Sequence, residues 1–248
     1  MTQTEAAAAQ LTPKGVLRAG INLSNFLLVT GRSQTGDPVG VAPDLARAIA
    51  ERLGATVQYV TYPKPGELAD AAGSNAWDIG LIGAEPARAE KIEFTPAYVE
   101  IQSTYLVPPG SDLQLVDEVD RPGTRIAVAA RTAYGLWLDR NIRHATLVNS
   151  DSIDASFEQF QRERLEALAG LRPRLLADVE RMPGARILPG QFAAVQQAVG
   201  TLRQNTEAAA FLRDFVAEAI QTGLIARLIA KHEVQGLTVA PAIESEAA

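Results

Sequence analysis

The segment WDIGLIGAEPARAEKIEFTPAYVEIQSTYLV, Trp77–Val107, decides how the rest of the chain is read. Asp78–Ile82 has the length and apolar content of a buried strand, and Gln102–Val107 is a second strand, ended by Pro108-Pro109-Gly110. Between them, Pro86 opens a short turn two residues before Arg88. An arginine in a turn that leaves a buried strand has two readings. It is a surface charge pairing with Glu90 or Glu93, or a planar fork aimed at the two oxygens of a bound carboxylate. In the second reading, free backbone N–H groups where the turn begins at Pro86 also favour an anion.

Working outward, Val16–Leu23 is a buried strand and GVAPDLARAIAERLG, Gly40–Gly54, is an amphipathic helix. Leu45, Ile49 and Leu53 recur at i, i+4 and i+8, Arg47, Glu51 and Arg52 turn away from them, and Gly54 marks the stop. Thr56–Tyr62 is a strand and Pro65–Ala72 a short helix. This strand-helix-strand-helix-strand order implies a parallel sheet with right-handed crossovers.

The alternation then repeats. Strand Arg125–Ala129 is followed by a helix near Ala133–Asn141, strand Ala145–Val148, a helix near Ile153–Phe160, strand Leu165–Ala169 and a helix near Arg174–Arg181. Strands Ala185–Leu188 and Phe192–Val199 close the set. Two α/β lobes fit this double alternation better than one sheet. Glu207–Lys231 is an amphipathic helix pair broken at Gly223, residues 1–13 read as a frayed polar terminus, and Glu244–Ala248 as a disordered tail.

Composition narrows the function classes. The 248 residues are 47% hydrophobic and 21% charged, with a formal net charge of −6, which disfavours nucleic acid and anionic membranes as partners. There is no cysteine, and His144 and His232 are the only imidazoles. No metal or cofactor is therefore expected, and a Ser-His-Asp triad is disfavoured. No run approaches the roughly 20 apolar residues of a membrane span. The opening MTQTEAAAAQLTPKG lacks a basic region followed by an apolar core, so the expected location is cytoplasmic as the chain is given, or periplasmic if a signal has been trimmed.

In the order and spacing of VLRAGINLSN, GDPVGVAPDLARAIAERLG, WDIGLIGAEPARAEKIEFTPAYVEIQSTYLV, VDEVDRPGTRIAVAARTAYGLWL and QQAVGTLRQNTEAAAFLRDFVAEAIQTGLIARLI, the chain resembles the extracellular solute-binding proteins of family 3. These are the amino-acid receptors of ABC importers. The resemblance spans about residues 14–232 and implies an α/β, two-lobed, periplasmic-binding-protein-like (type II) fold. Its lobes, residues 1–107 plus 201–248 and residues 108–200, would be joined by two hinge strands near Tyr105–Pro108 and Val199–Leu202, with a ligand cleft between them.

The resemblance also assigns roles. Arg88 stands where family members bind the ligand's α-carboxylate, beside Gly83, Ala84 and Glu85. Thr132, flanked by Arg131 and Ala133, stands where a helix N-terminus and a hydroxyl close on the same group, although the usual preceding glycine is here Arg131. Thr132 alternatively caps the helix alone. Asn25, Phe26 and Tyr62 lie in loops that carry stacking aromatics in the family, or they pack the core. Gln196 and Gln197 lie beside the returning hinge, and adjacent strand residues face opposite ways, so at most one reaches the ligand.

Departures from the family matter as much. The aspartate expected after the first strand is Asn22, Leu81–Ala84 has no hydroxyl, and Gly170, Leu171 and Arg172 stand where a late acid is expected. An ammonium would lose most of its partners. Arg88 with Arg172 and Arg131 suits a dicarboxylate or another small anionic acid, and Glu85 keeps an amino acid possible. Arg172 alternatively belongs with the exposed arginines around it.

The expected function is capture of a small carboxylate with hinge closure, for ABC-type uptake or sensing. The expected partners are that ligand and, if the protein is exported, an importer permease, and the expected state is a monomer. The alternative is a lyase resembling cyclohexadienyl dehydratases, with Glu85 as general acid.

Overall fold

The computed structural model describes residues 1–241. The tail expected at Glu244–Ala248 lies outside the described residues. In chain order the first elements are α1 (Gln3–Leu11), β1 (Val16–Asn22), β2 (Gly31–Arg32), β3 (Pro38–Val39), α2 (Val41–Arg52), β4 (Thr56–Tyr62), α3 (Pro65–Asp70), β5 (Ile79–Gly83), α4 (Pro86–Ala89), β6 (Ile92–Phe94) and β7 (Val99–Val107). After a 3-10 turn at Val116–Glu118 come β8 (Arg125–Ala129), α5 (Ala133–Asn141), β9 (Thr146–Ser150), α6 (Ile153–Arg162), β10 (Ala167–Leu171), α7 (Arg172–Glu180) and β11 (Arg186–Ile187). The last elements among the described residues are β12 (Ala193–Leu202), α8 (Thr206–Gln221), α9 (Leu224–Lys231) and β13 (Thr238–Val239). It forms two compact units, Met1–Glu100 with the chain from Gln196 onward, and Ile101–Val195.

In the first unit the strand order is β4-β1-β5-β12. The β1 strand runs parallel to both β4 and β5, and β12 returns antiparallel to β5. Leu17, Ala19 and Ile21 point into a core shared with Leu45 and Ile49 of α2 and Phe211, Phe215 and Val216 of α8. The other face carries Trp77, whose Nε1–H donates to the Leu68 carbonyl at 3.1 Å. Here the strands pack tightly on their neighbours, since a Cβ at Gly20 would lie 3.3 Å from the Trp77 ring and one at Gly80 3.0 Å from the Leu68 side chain, each of which would have to shift.

Residues 1–13 correct the expectation of a frayed terminus. A capping box between Thr2 and Glu5 starts α1, and Ala7 and Leu11, four residues apart, are completely buried. Gln10 Oε1 accepts the Ala208 N–H at 2.9 Å, and Gln3 Nε2 donates to Asp214 at 2.7 Å. The alanines of α1 give it a small-residue face that lets it lie close to α8.

A buried carboxylate ties α2 to the end of α9. Asp44, in the first turn of α2, is 6% exposed and accepts from Arg47 (2.6 Å), Lys231 Nζ (2.7 Å) and His232 Nε2 (2.8 Å). Burial by itself raises the Asp44 pKa, but the hydrogen bonds from Lys231 and His232 and the charge of Arg47 outweigh it and hold the group below the usual carboxylate range.

In the second unit the order is β7-β10-β8-β9, with β11 on the far part of β7. The β8 strand is parallel to β9 and β10, and β10 is antiparallel to β7. Phe157 and Phe160 of α6 pack with Leu106, Leu165, Leu168 and Leu175 into a core of their own. Strand β10 runs to Leu171, two residues beyond the expected end, and α7 starts at once at Arg172, with Pro173 in the first turn where its missing N–H costs nothing. The helix pair broken at Gly223 is present, and that glycine takes the left-handed conformation, φ 71°.

Two outcomes test this description. Leu11→Ala is expected to lower unfolding stability by about 2–4 kcal/mol in a denaturant titration, where a frayed residue would change it by less than about 0.5 kcal/mol. The Asp44 carboxylate has a depressed folded pKa, so its contribution is present above the unfolded value near pH ~4 and is lost as pH falls through the folded value. Stability of Asp44→Asn should therefore fall less steeply with acidification below about pH 4 than that of the parent.

Candidate ligand-binding site

The loop leaving β5 is tightly organised. The Ala84 N–H donates to the Gln196 carbonyl at 2.8 Å, and the Glu85 carbonyl accepts the N–H groups of Arg88 and Ala89, both at 2.9 Å, which winds α4. One turn is enough to fold Arg88 back toward the strand. Arg88 is 6% exposed, and its Nη1 donates to the Gly83 carbonyl at 2.7 Å. This is not a solvated surface charge. The carboxylate of Glu93 meets Arg203 at 3.3 Å, and Glu90 is exposed.

The same edge of the first unit collects the other predicted residues. Asn22 and Tyr62 are paired at the ends of β1 and β4, and β1 lies beside β5 with Ile21 opposite Leu81. Asn22 Oδ1 accepts from the Ser24 backbone at 3.1 Å and its hydroxyl at 2.8 Å, forming a turn that carries Asn25 and Phe26. Asn25 is buried and Oδ1 accepts the Leu27 N–H at 3.3 Å, while Phe26 projects with 41% exposure. Burial raises the pKa of the half-buried Tyr62 phenol. Of the two glutamines, Gln197 is buried and Gln196 is partly accessible, with Nε2 donating to Glu100 at 3.0 Å.

In the second unit, the turn from β8 into α5 holds Arg131, Thr132 and Ala133. Thr132 is a true cap: its hydroxyl donates to the Ala129 carbonyl at 2.8 Å and accepts the Gly135 N–H at 3.1 Å. Arg131 sits at φ 60°, in the left-handed region. A glycine takes this conformation without strain, which gives the arginine here a physical cost. Because β8 and β10 are parallel neighbours, the start of α7 lies at the same end of this unit. There Arg172 Nε donates to Gln102 Oε1 at 2.9 Å, and Nη2 to the Gly190 carbonyl.

Some contributors were not singled out from sequence. Ser24 fixes Asn22, and its signal is the Asn-x-Ser spacing. Gly135 is required because a Cβ there would meet Ala129 O and Thr132 Oγ1 at 2.9 Å. Gln102 as partner of Arg172 had no local signal, since the two are 70 positions apart.

Solved structures with this architecture are two-lobed. The cysteine-binding protein from Campylobacter jejuni is 18% identical, with a TM-score of 0.74, over 94% of this chain and 99% of that one. A mutant of ArgBP from T. maritima is 21% identical, with a TM-score of 0.73, over 92% of this chain and 100% of that one. The ancestral amino acid-binding protein AncCDT-1, described as a precursor of cyclohexadienyl dehydratase, is 18% identical, with a TM-score of 0.72, over 90% and 97%. The chain therefore has the two-lobed, periplasmic-binding-protein-like α/β fold.

Residues 21–235 match the bacterial extracellular solute-binding proteins, family 3. The chain belongs to that family, a class of solute-binding proteins associated with ABC transporters. No curated protein is a significant match. Among the described residues, no helix is long and apolar enough to cross a membrane.

The backbone at Arg131 yields a prediction. Arg131→Gly should be more stable than Arg131→Ala by about 1 kcal/mol, a comparison in which loss of the arginine side chain cancels. Equal melting temperatures for the two variants would mean that the left-handed conformation carries no cost here.

Proposed function

We propose that the protein is a non-catalytic solute receptor that takes a small carboxylic acid through Arg88 and closes by hinge motion, as the family resemblance implies. The observation that carries this reading is the state of Arg88, a buried guanidinium anchored by Gly83 at the end of a parallel strand. A guanidinium held in one orientation presents a planar fork that matches the two oxygens of a carboxylate.

The ligand class follows from what surrounds it. Asn22 replaces the family's aspartate, and its side-chain oxygen is already committed to Ser24. An α-ammonium therefore lacks an acid at that position. A dicarboxylate or another small anionic acid fits better than an ordinary α-amino acid. Arg131, Thr132 and Arg172 are the second unit's candidates for ligand contact, and Glu85, Phe26, Ala84 and Gln196 those of the first. For uptake the partner is an ABC importer permease, and in a sensing role the same closure is read by another protein.

Thermal shift and calorimetry against C4 and C5 dicarboxylates and the common α-amino acids test the reading. A dicarboxylate should raise the melting temperature without being consumed, and Arg88→Ala should abolish that rise while folding normally. Ligand stabilisation that survives Arg88→Ala would remove the proposed clamp. Preference for neutral amino acids would overturn the anionic class, and turnover of prephenate or arogenate lost in Glu85→Gln would establish the lyase instead.

A further inference from the structure

The second unit contains a pocket of about 240 Å³ that the carboxylate reading does not use. It is lined in part by Tyr105, Trp137 and Phe192 with Asp117, Asp120 and Asn141. The Phe192 ring lies 4.6 Å from that of Tyr105 and 5.3 Å from that of Trp137, so the three rings form one aromatic wall. Asn141 is the last residue of α5, the helix whose first turn is capped by Thr132. At 1.5 Å per residue the lining residues Trp137 and Asn141 are about 8 and 14 Å along α5 from that cap. It is also smaller than the roughly 300 Å³ at which drug-sized sites begin.

The charged side chains that line the pocket, Asp117 and Asp120, are both acidic, while Arg140 and His144 stand beside it. Neither lysine nor arginine lines the pocket. Asp117 is exposed and makes no hydrogen bond or ion pair among the described residues. Asp120 accepts the N–H groups of Arg143 (2.9 Å), His144 (2.8 Å) and Ala145 (2.9 Å). Burial raises its pKa, but those bonds outweigh burial and keep it ionised. The C-terminal carbonyls of α5 add the negative end of a helix dipole. Aromatic faces, two carboxylates and a helix C-terminus all favour a cation and repel the anionic ligand proposed for Arg88.

The kind of cation follows from hydrogen-bond capacity. A primary ammonium brings three N–H donors, while Asp120 already accepts three backbone N–H groups and Asp117 is the one uncommitted carboxylate in the lining. A quaternary ammonium has no donor to satisfy, is weakly hydrated, and presents methyl groups to the rings. We propose that this pocket binds a small quaternary ammonium cation, with Trp137 and Phe192 against its methyl groups and Asp117 and Asp120 balancing its charge.

The test uses the full chain, with choline chloride as probe and 3,3-dimethyl-1-butanol as its uncharged isostere, read by calorimetry and by tryptophan fluorescence. Choline should saturate with a dissociation constant of about 1 mM or tighter, and the alcohol should bind at least about tenfold more weakly. Asp117→Asn, an exposed substitution that should fold normally, should weaken choline about fivefold. Trp137→Phe, which retains a ring, should weaken choline less than Trp137→Leu. Arg88→Ala should leave choline binding unchanged, which separates this site from the carboxylate site whatever becomes of that reading. No saturation by choline, equal affinity for the alcohol, indifference to Asp117→Asn, or loss of binding in Arg88→Ala would each overturn the proposal.

Discussion

Strand β1 is hydrogen-bonded along both edges, to β4 and to β5, and both pairings are parallel. Parallel neighbours must finish at the same edge, and the chain must cross back over a face of the sheet before each new strand. From this constraint the first unit follows. Helices α2 and α3 are the crossovers, the faces of the sheet are covered, and the loops after β1, β4 and β5 open side by side. Asn22, Tyr62 and the segment Gly83–Arg88 share an edge for this reason, although more than 60 positions of sequence separate Asn22 from Arg88.

Ionised side chains in this molecule are buried where the backbone or other charges hold them. Asp44 is surrounded by Arg47, Lys231 and His232, and Asp178, 1% exposed, by Arg174 and Arg181. Such clusters are structural: removing one member leaves the others without compensation. Arg88, also buried, has its guanidinium oriented in part by the Gly83 carbonyl.

The parts of this arrangement legible in sequence were those governed by local periodicity or by a breaker. Thr56–Tyr62 and Ala133–Asn141 have the bounds that alternation and Thr132 indicate, and Gly223 divides the last helix pair. Hidden features depended on distant partners. The docking of α1 needs α8, some two hundred residues away, and no local pattern in an alanine-rich opening announces it. At Arg88 the proline turn after a buried strand left a surface charge and an anion clamp both open, and the clamp reading came from the family resemblance. The burial of Arg88 was not legible, because Gly83 takes the guanidinium only once α4 has wound. The left-handed backbone of Arg131 was equally hidden, since nothing in the side chain favours it.

The route of the chain has a consequence for synthesis. The first unit is made of two separated stretches, and its sheet and core are incomplete until β12 and α8 have been added. The second unit is one unbroken stretch, Ile101–Val195. On a ribosome, residues 1–100 emerge first yet lack the strand that covers the edge of β5 and the helix that receives α1. The later-made unit has all its parts before the earlier one does, so the order of completion runs against the order of translation. In that interval the exposed edge of β5 and the apolar faces of α1 and α2 are what a chaperone would meet.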